Sequence, residues 1–209
     1  FAQGVVFAVD SGAWVVQAAL VGVNNTAFAQ SAIDYAYSRG VAVIASAGVG
    51  GSAQNDYPAA CERTIQVNAV QKYVGSGTTG EEQFPPSYLY LGGQTNYGAR
   101  NTVCAPSDGH SSGAVARSAG IAALVYSAAE NEVQRGEMWR YPGLETPLSS
   151  GEVKQIIAMT ADDIDFSPGS YVVTLGSLDA VIGPSERYRS HRGWDPYFGY
   201  GRITAHEAV

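Results

Sequence analysis

Residues 24–48 read NNTAFAQSAIDYAYSRGVAVIASAG, and the change of period inside this stretch decides the fold. Asn24, Asn25 and Thr26 offer side-chain acceptors that cap a helix N-terminus. Phe28, Ala29, Ala32, Ile33 and Ala36 then recur at helical spacing until Arg39-Gly40 stops the pattern. From Val41 to Ser46 the period vanishes. That run is short, apolar and rich in β-formers, as a strand buried on both faces requires. A helix that hands over to such a strand within a residue or two is half of a parallel α/β unit, whose crossovers are right-handed.

The pattern repeats outward. Upstream, Phe1, Val5, Ala8 and Val9 predict a helix ending at Asp10-Ser11-Gly12, and Val15 to Leu20 predicts a buried strand. Downstream come the loop Gly48 to Tyr57 and a third strand over Thr64 to Val70. Residues 71–101 are rich in Gly, Tyr, Thr and Pro, with Phe84-Pro85-Pro86 inside. They read as a surface excursion with a hairpin around Tyr88 to Tyr90. Thr102 to Ala105 predicts a short strand. Ser112 to Ala129 is the longest helix, with Ala114, Ala119, Gly120, Ala122 and Ala123 suited to close packing. Residues 131–148 read as a polar loop, and Ser149 to Glu152 as a capping box opening a helix through Met159. Residues 161–198 look mostly irregular, and Ala205 to Val209 begins a last helix. The expected fold is a three-layer, doubly wound α/β domain with a mainly parallel sheet.

Composition narrows the function classes. The 209 residues are 45% hydrophobic and 15% charged, enough to bury a core and too ordered in pattern for a disordered chain. With a net charge of −7 and only 12 scattered Lys and Arg residues, there is no electrostatic footprint for nucleic acid. No apolar run reaches the roughly 20 residues that span a bilayer. No Gly-rich phosphate loop follows any predicted strand, which counts against a nucleotide-binding protein. Cys61 and Cys104 suit either one disulfide or two buried thiols, and no metal-ligand spacing involves them. The chain opens at Phe1 inside a helical pattern with no cap and nothing like a signal peptide, so it reads as beginning within a domain.

Five segments, in order, carry a resemblance. They are Ala32 to Gly40 running into Val41 to Gly48; Tyr57-Pro58-Ala59 followed by Thr64 to Val70; Thr95-Asn96-Tyr97-Gly98 followed by Cys104-Ala105-Pro106; Ser111-Ser112-Gly113-Ala114 followed by Ser118 to Leu124; and Gly199-Tyr200-Gly201-Arg202-Ile203. Together they are similar to the subtilisin-like serine peptidases, from the middle of the catalytic domain to its close. The resemblance implies the C-terminal portion of one such domain over residues 1–209, with 71–101 as its excursion. It also implies a polypeptide substrate and, through the family's habits, an extracellular or cell-envelope location.

On this resemblance Ser112 takes the nucleophile position, eight residues before Gly120. A serine at a helix N-terminus meets unpaired backbone N–H groups and the positive end of the dipole, which stabilise a developing oxyanion. The competing reading of Ser111 or Ser112 is a plain N-cap. Serine needs a base and an orienting carboxylate, which in this family precede it in the chain. Asp10-Ser11-Gly12 mimics the acid motif but ends a helix where a strand is needed. His191 and His206 follow the serine, and His110 is too close in sequence to reach across. Base and acid are therefore expected from an N-terminal segment of the same protein.

The oxyanion hole would use the Ser112 backbone N–H and a side-chain amide after Ala47-Gly48, where this chain has Val49. Losing one such donor costs a subtilisin roughly 10²–10³ in turnover. Asn55, in the same loop, is an alternative donor, and also an ordinary turn residue. Ala116 and Arg117 replace the family's proline and histidine, and His110 its glycine. Ala19, Leu20, Val21, Ala47 and Gly48 occupy the substrate-binding positions, Leu20 keeping a role at an edge strand. Asp162, Asp163 and Asp165 are spaced to share a calcium ion, or else mark a polar turn. Tyr73, Tyr88, Tyr90 and Tyr97 suit a binding face or an ordinary surface.

Overall fold

The computed structural model describes residues 1–71, 90–91, 95–107, 110–166, 171–175, 178–182 and 190–209. Its sheet is built from β1 (Val15–Ala18), β2 (Ala42–Ser46), β3 (Ile65–Gln71), β4 (Tyr90–Leu91) and β5 (Asn101–Pro106). β1, β2, β3 and β5 are mutually parallel, and only β4 runs antiparallel, against the end of β3. The helices are α1 (Ala2–Asp10), α2 (Ala27–Ser38), α3 (Ser111–Arg135) and α4 (Ser150–Met159).

Alternation along β2 sorts the helices onto two faces. Val43 points into a core with Val5 and Val9 of α1 and Ala32, Ile33 and Ala36 of α2. Ala42 and Ile44 point the other way, into the larger core with Ala114, Val115, Ala122 and Val125 of α3 and Val153 and Ile157 of α4. Side chains such as Ile44, Ile65 and Ile157 are fully buried, each contributing about 1.5–3 kcal/mol. The result is the three-layer, mainly parallel α/β architecture expected from the change of period.

Local signals act as read. Thr26 accepts from the Ala29 amide at 3.1 Å. Ser149 and Glu152 form a complete capping box at the start of α4. The closing segment lies along β5, where the Cys104 amide donates to Gly201 and the Ile203 amide to Cys104. Gly201 sits at φ 122°, and a Cβ there would lie 2.2 Å from the Asp162 carbonyl oxygen, so the close approach demands glycine.

Several expectations need correction. α3 begins at Ser111 and continues to Arg135, so residues 131–135 are helical and only the remainder of 131–148 connects. Polar composition here marks a solvent-facing helix end, supported by the Glu132–Arg135 pair and stopped by Gly136 in the left-handed region. Within α3, Ala114 and Ala122 pack inward, whereas Gly120 and Ala123 are exposed. Phe28, counted on the buried face of α2, is 67% exposed. Residues 161–198, expected to be mostly irregular, hold an antiparallel pair, β6 (Tyr171–Leu175) and β7 (Leu178–Ile182), two short runs rich in β-formers lying among turn residues. The stretch from Ala205 to Val209 closes in a turn instead of a helix. Cys61 and Cys104 are free and buried in separate clusters. The proline-rich part of the excursion and the hairpin's Tyr88 and Leu89 lie outside the described residues, as does Tyr73.

Candidate active site

Three chain segments meet at the C-terminal ends of β2 and β3: the loop after Ser46, the Thr95-Asn96 segment, and the start of α3. This is the edge where an open parallel sheet presents its ligand sites. Ala47 remains tied to the sheet, its amide donating to Val67 at 2.9 Å. Gly48 turns the chain at φ 105°. A Cβ there would lie 2.3 Å from Asp56 Oδ2 and 2.4 Å from Asn96 Nδ2.

Asn96 is fully buried and organises the loop that follows. Its amide nitrogen Nδ2 donates to Asp56 at 2.9 Å, and its Oδ1 accepts from the Gly50 amide at 2.8 Å. Its backbone amide donates to the Gly48 carbonyl at 3.1 Å. Asn96 is therefore committed within the protein. Val49, held between these bonds, is 46% exposed and presents an aliphatic surface where the family resemblance implies an amide donor.

Ser111 and Ser112 open α3 but do not cap it. The N-cap is His110, which makes no side-chain cap bond, so the plain capping reading falls for both serines. Ser111 is fully buried, and its hydroxyl donates to the Gly48 carbonyl at 2.9 Å. Ser112 is exposed, on the first turn, where backbone N–H groups have no intrahelical partner. Such a position can hold a nucleophile and receive an oxyanion on adjacent amides. Among the described residues no histidine ring hydrogen-bonds Ser112, and that of His191 meets the Arg192 carbonyl. Asp10 ends α1 and accepts from the Tyr35 hydroxyl at 2.6 Å.

Ala19, Leu20 and Val21 continue from β1, whose one partner among the described strands is β2. Leu20 and Val21 are 43% and 40% exposed. Asn55 is exposed and its side chain lies against Gly98, 3.1 Å from where a Cβ would stand. Tyr97 packs on Tyr197, the ring centroids 5.0 Å apart, instead of standing free on the surface.

The three aspartates do not converge. Asp162 pairs with Arg202 at 2.9 Å, and Asp163 accepts from the Gly193 amide at 2.7 Å. Among the described residues no group of three or more His, Cys, Asp or Glu side chains is placed to hold a metal ion. The arrangement does not fit calcium bound by Asp162, Asp163 and Asp165. Burial pushes the Cys104 thiol far up, and no thiolate chemistry is available from it.

Sequence reasoning missed the parts of the site that are not at motif positions. Asn96 was legible as part of a motif but not as the loop's organiser. Asp56 carries no signal beyond its place beside Asn55. The partnership of Ser46 with Ser111 joins residues 65 apart in sequence, and no local pattern foretells it.

A model of the subtilase family matches residues 1–201. Over 222 aligned residues the chain is 27% identical to a thermophilic serine proteinase of Bacillus sp. (strain AK1), covering 100% of this chain and 40% of that protein. It is 30% identical to thermitase of Thermoactinomyces vulgaris over 95 residues, 43% of this chain and 34% of that one. Among solved structures it resembles a lanthipeptide protease with a TM-score of 0.65 at 18% identity, over 99% of this chain and 64% of the other. The self-cleaved protease domain of PatA gives a TM-score of 0.62 at 18% identity, over 99% and 64%. The chain thus spans less than half the length of these curated relatives and about two thirds of the solved chains.

Proposed function

Because this chain belongs to the subtilase family, we propose that it is the C-terminal portion of a serine endopeptidase domain in which Ser112 is the nucleophile. The observation that carries this reading is Ser112 itself: exposed on the uncapped first turn of α3, one residue after a buried serine anchored to the Gly48 loop. A base takes the Ser112 hydroxyl proton as Oγ bonds to the peptide carbonyl carbon. The carbonyl oxygen becomes an oxyanion beside the Ser112 amide and the helix N-terminus. The C–N bond then breaks, the base returns the proton to the departing amine, and water hydrolyses the acyl-enzyme.

The base and acid come from an N-terminal segment of the same protein, which also completes the domain. Substrate is a polypeptide lying along the open edge of β1 toward Ala19, Leu20 and Val21, with Ala47 and Gly48 opposite. An extracellular or cell-envelope site suits this activity. Among the described residues no helix is long and apolar enough to cross a membrane.

A second reading has its own observation. Val49, exposed at the donor position, favours a subtilase that binds peptides or scaffolds without turnover. Fluorophosphonate labelling of the full-length protein, located by mass spectrometry, separates the two. Labelling at Ser112 that is lost in Ser112→Ala supports the peptidase. Intact full-length protein that takes no label overturns it in favour of the binding reading. Calcium is expected to play no part through Asp162, Asp163 and Asp165, so Asp163→Asn should leave any effect of EDTA on Tm as it is in the parent; an EDTA-sensitive Tm that becomes insensitive in this variant would contradict it.

A further inference from the structure

We propose that Ser46 and Ser111 are positioning residues that form a closed hydroxyl relay holding the nucleophile to the oxyanion loop. The inference rests on the reading of Ser112 as nucleophile and concerns residues outside the reacting set.

The protons decide the direction of the relay. Ser111 Oγ donates its proton to the Gly48 carbonyl at 2.9 Å. The Ser46 and Ser111 hydroxyl oxygens are 2.6 Å apart, and a hydroxyl has one proton to give, so Ser46 must donate to Ser111. Ser46 Oγ in turn accepts from the Gly48 amide at 3.2 Å. The circuit therefore runs from the Gly48 N–H through Ser46 and Ser111 back to the Gly48 carbonyl. Both ends of one peptide residue are held by the same two side chains.

Solvent cannot replace this circuit. Ser46 is 2% exposed and Ser111 is 0% exposed, so a hydroxyl left unpaired there bears its full desolvation cost. The place of these residues in the chain gives the circuit its meaning. Ser46 ends β2, Gly48 precedes Val49, and Ser111 precedes Ser112. The relay joins the last residue of the strand, the turn of the oxyanion loop and the first residue of the nucleophile's helix. A slip of about 1 Å between nucleophile and oxyanion donors is enough to cost on the order of 10²-fold in rate.

The test uses full-length protein carrying Ser46→Ala, Ser111→Ala, Ser111→Thr or the double alanine change. It reads fluorophosphonate labelling well below Tm and hydrogen exchange of the Gly48 amide. Each single alanine variant should lower the maximal labelling rate by about ten-fold or more, with half-saturation within about two-fold. Ser111→Thr keeps the hydroxyl and should restore most of the rate. The double variant should be no slower than the slower single one, because both changes break one circuit. Gly48 exchange should accelerate in the alanine variants while Val43 to Ala45 stay protected. Unchanged labelling in both single variants, or losses that multiply in the double, would overturn the proposal. If the parent itself takes no label, the peptidase reading falls and the exchange data alone judge the relay: faster Gly48 exchange upholds it, and unchanged exchange sinks it.

Discussion

On the proposed peptidase reading, Val49 is the residue on which the chemistry turns. Its side chain is 46% exposed at the loop that faces the start of α3, and it has nothing to donate. In protein that also holds the base and acid, Val49→Asn should raise kcat by roughly 10²-fold, with a small change in KM, because an oxyanion donor acts in the transition state. Progress curves on a peptide ester would show it. An unchanged kcat would mean that another group already donates or that turnover is absent. Asn55 is a poor substitute, since its side chain rests on Gly98. Neither is Asn96 available, with both ends of its amide committed to Asp56 and Gly50.

Among the elements, the start of α4 and the closing turn make the clearest claims. Ser149→Ala removes the hydroxyl half of the capping box and should cost about 1 kcal/mol, read as a lower urea midpoint with unchanged slope. The turn at residues 195–199 is held by Asp195, whose Oδ1 accepts from the Tyr197 and Phe198 amides at 2.7 and 2.9 Å. Burial pushes this carboxyl above its ordinary value, opposed by those two amides. A raised carboxyl contributes stability that is complete below the unfolded pKa, about 3.9, and lost as pH rises through the folded value. Asp195→Asn keeps an acceptor for the amides and removes the buried charge. Its Tm should exceed the parent's at pH 8, with the gap closing toward pH 4. A gap that is constant with pH would show that the charge is not the cause.

At the scale of the whole molecule, the two faces of one sheet divide the labour. α1 and α2 cover one side, α3 and α4 the other, and the candidate site lies where β2 and β3 end and α3 begins. No histidine among the described residues bonds Ser112, and the acid-like Asp10 is spent on Tyr35. The 209-residue chain by itself should therefore hydrolyse no peptide substrate. Turnover by this chain alone, lost in Ser112→Ala, would place the base within it.

The layers, the parallel strands, a cap within residues 24–26 and the Ser149 cap were legible in the residues themselves, because these rest on periodicity and short-range hydrogen bonds that local residues control. Ser112 and Val49 were singled out by the family resemblance alone, and their roles stand as proposals. The tertiary structure alone carries α3 to Arg135, pairs residues 171–175 with 178–182, and gives Asp162 and Asp163 to Arg202 and Gly193. It alone joined Ser46 to Ser111 and Asn96 to Asp56. These outcomes depend on which distant segments are brought within bonding distance, and a hydroxyl or carboxylate carries no local mark of a partner 40 or 65 residues away.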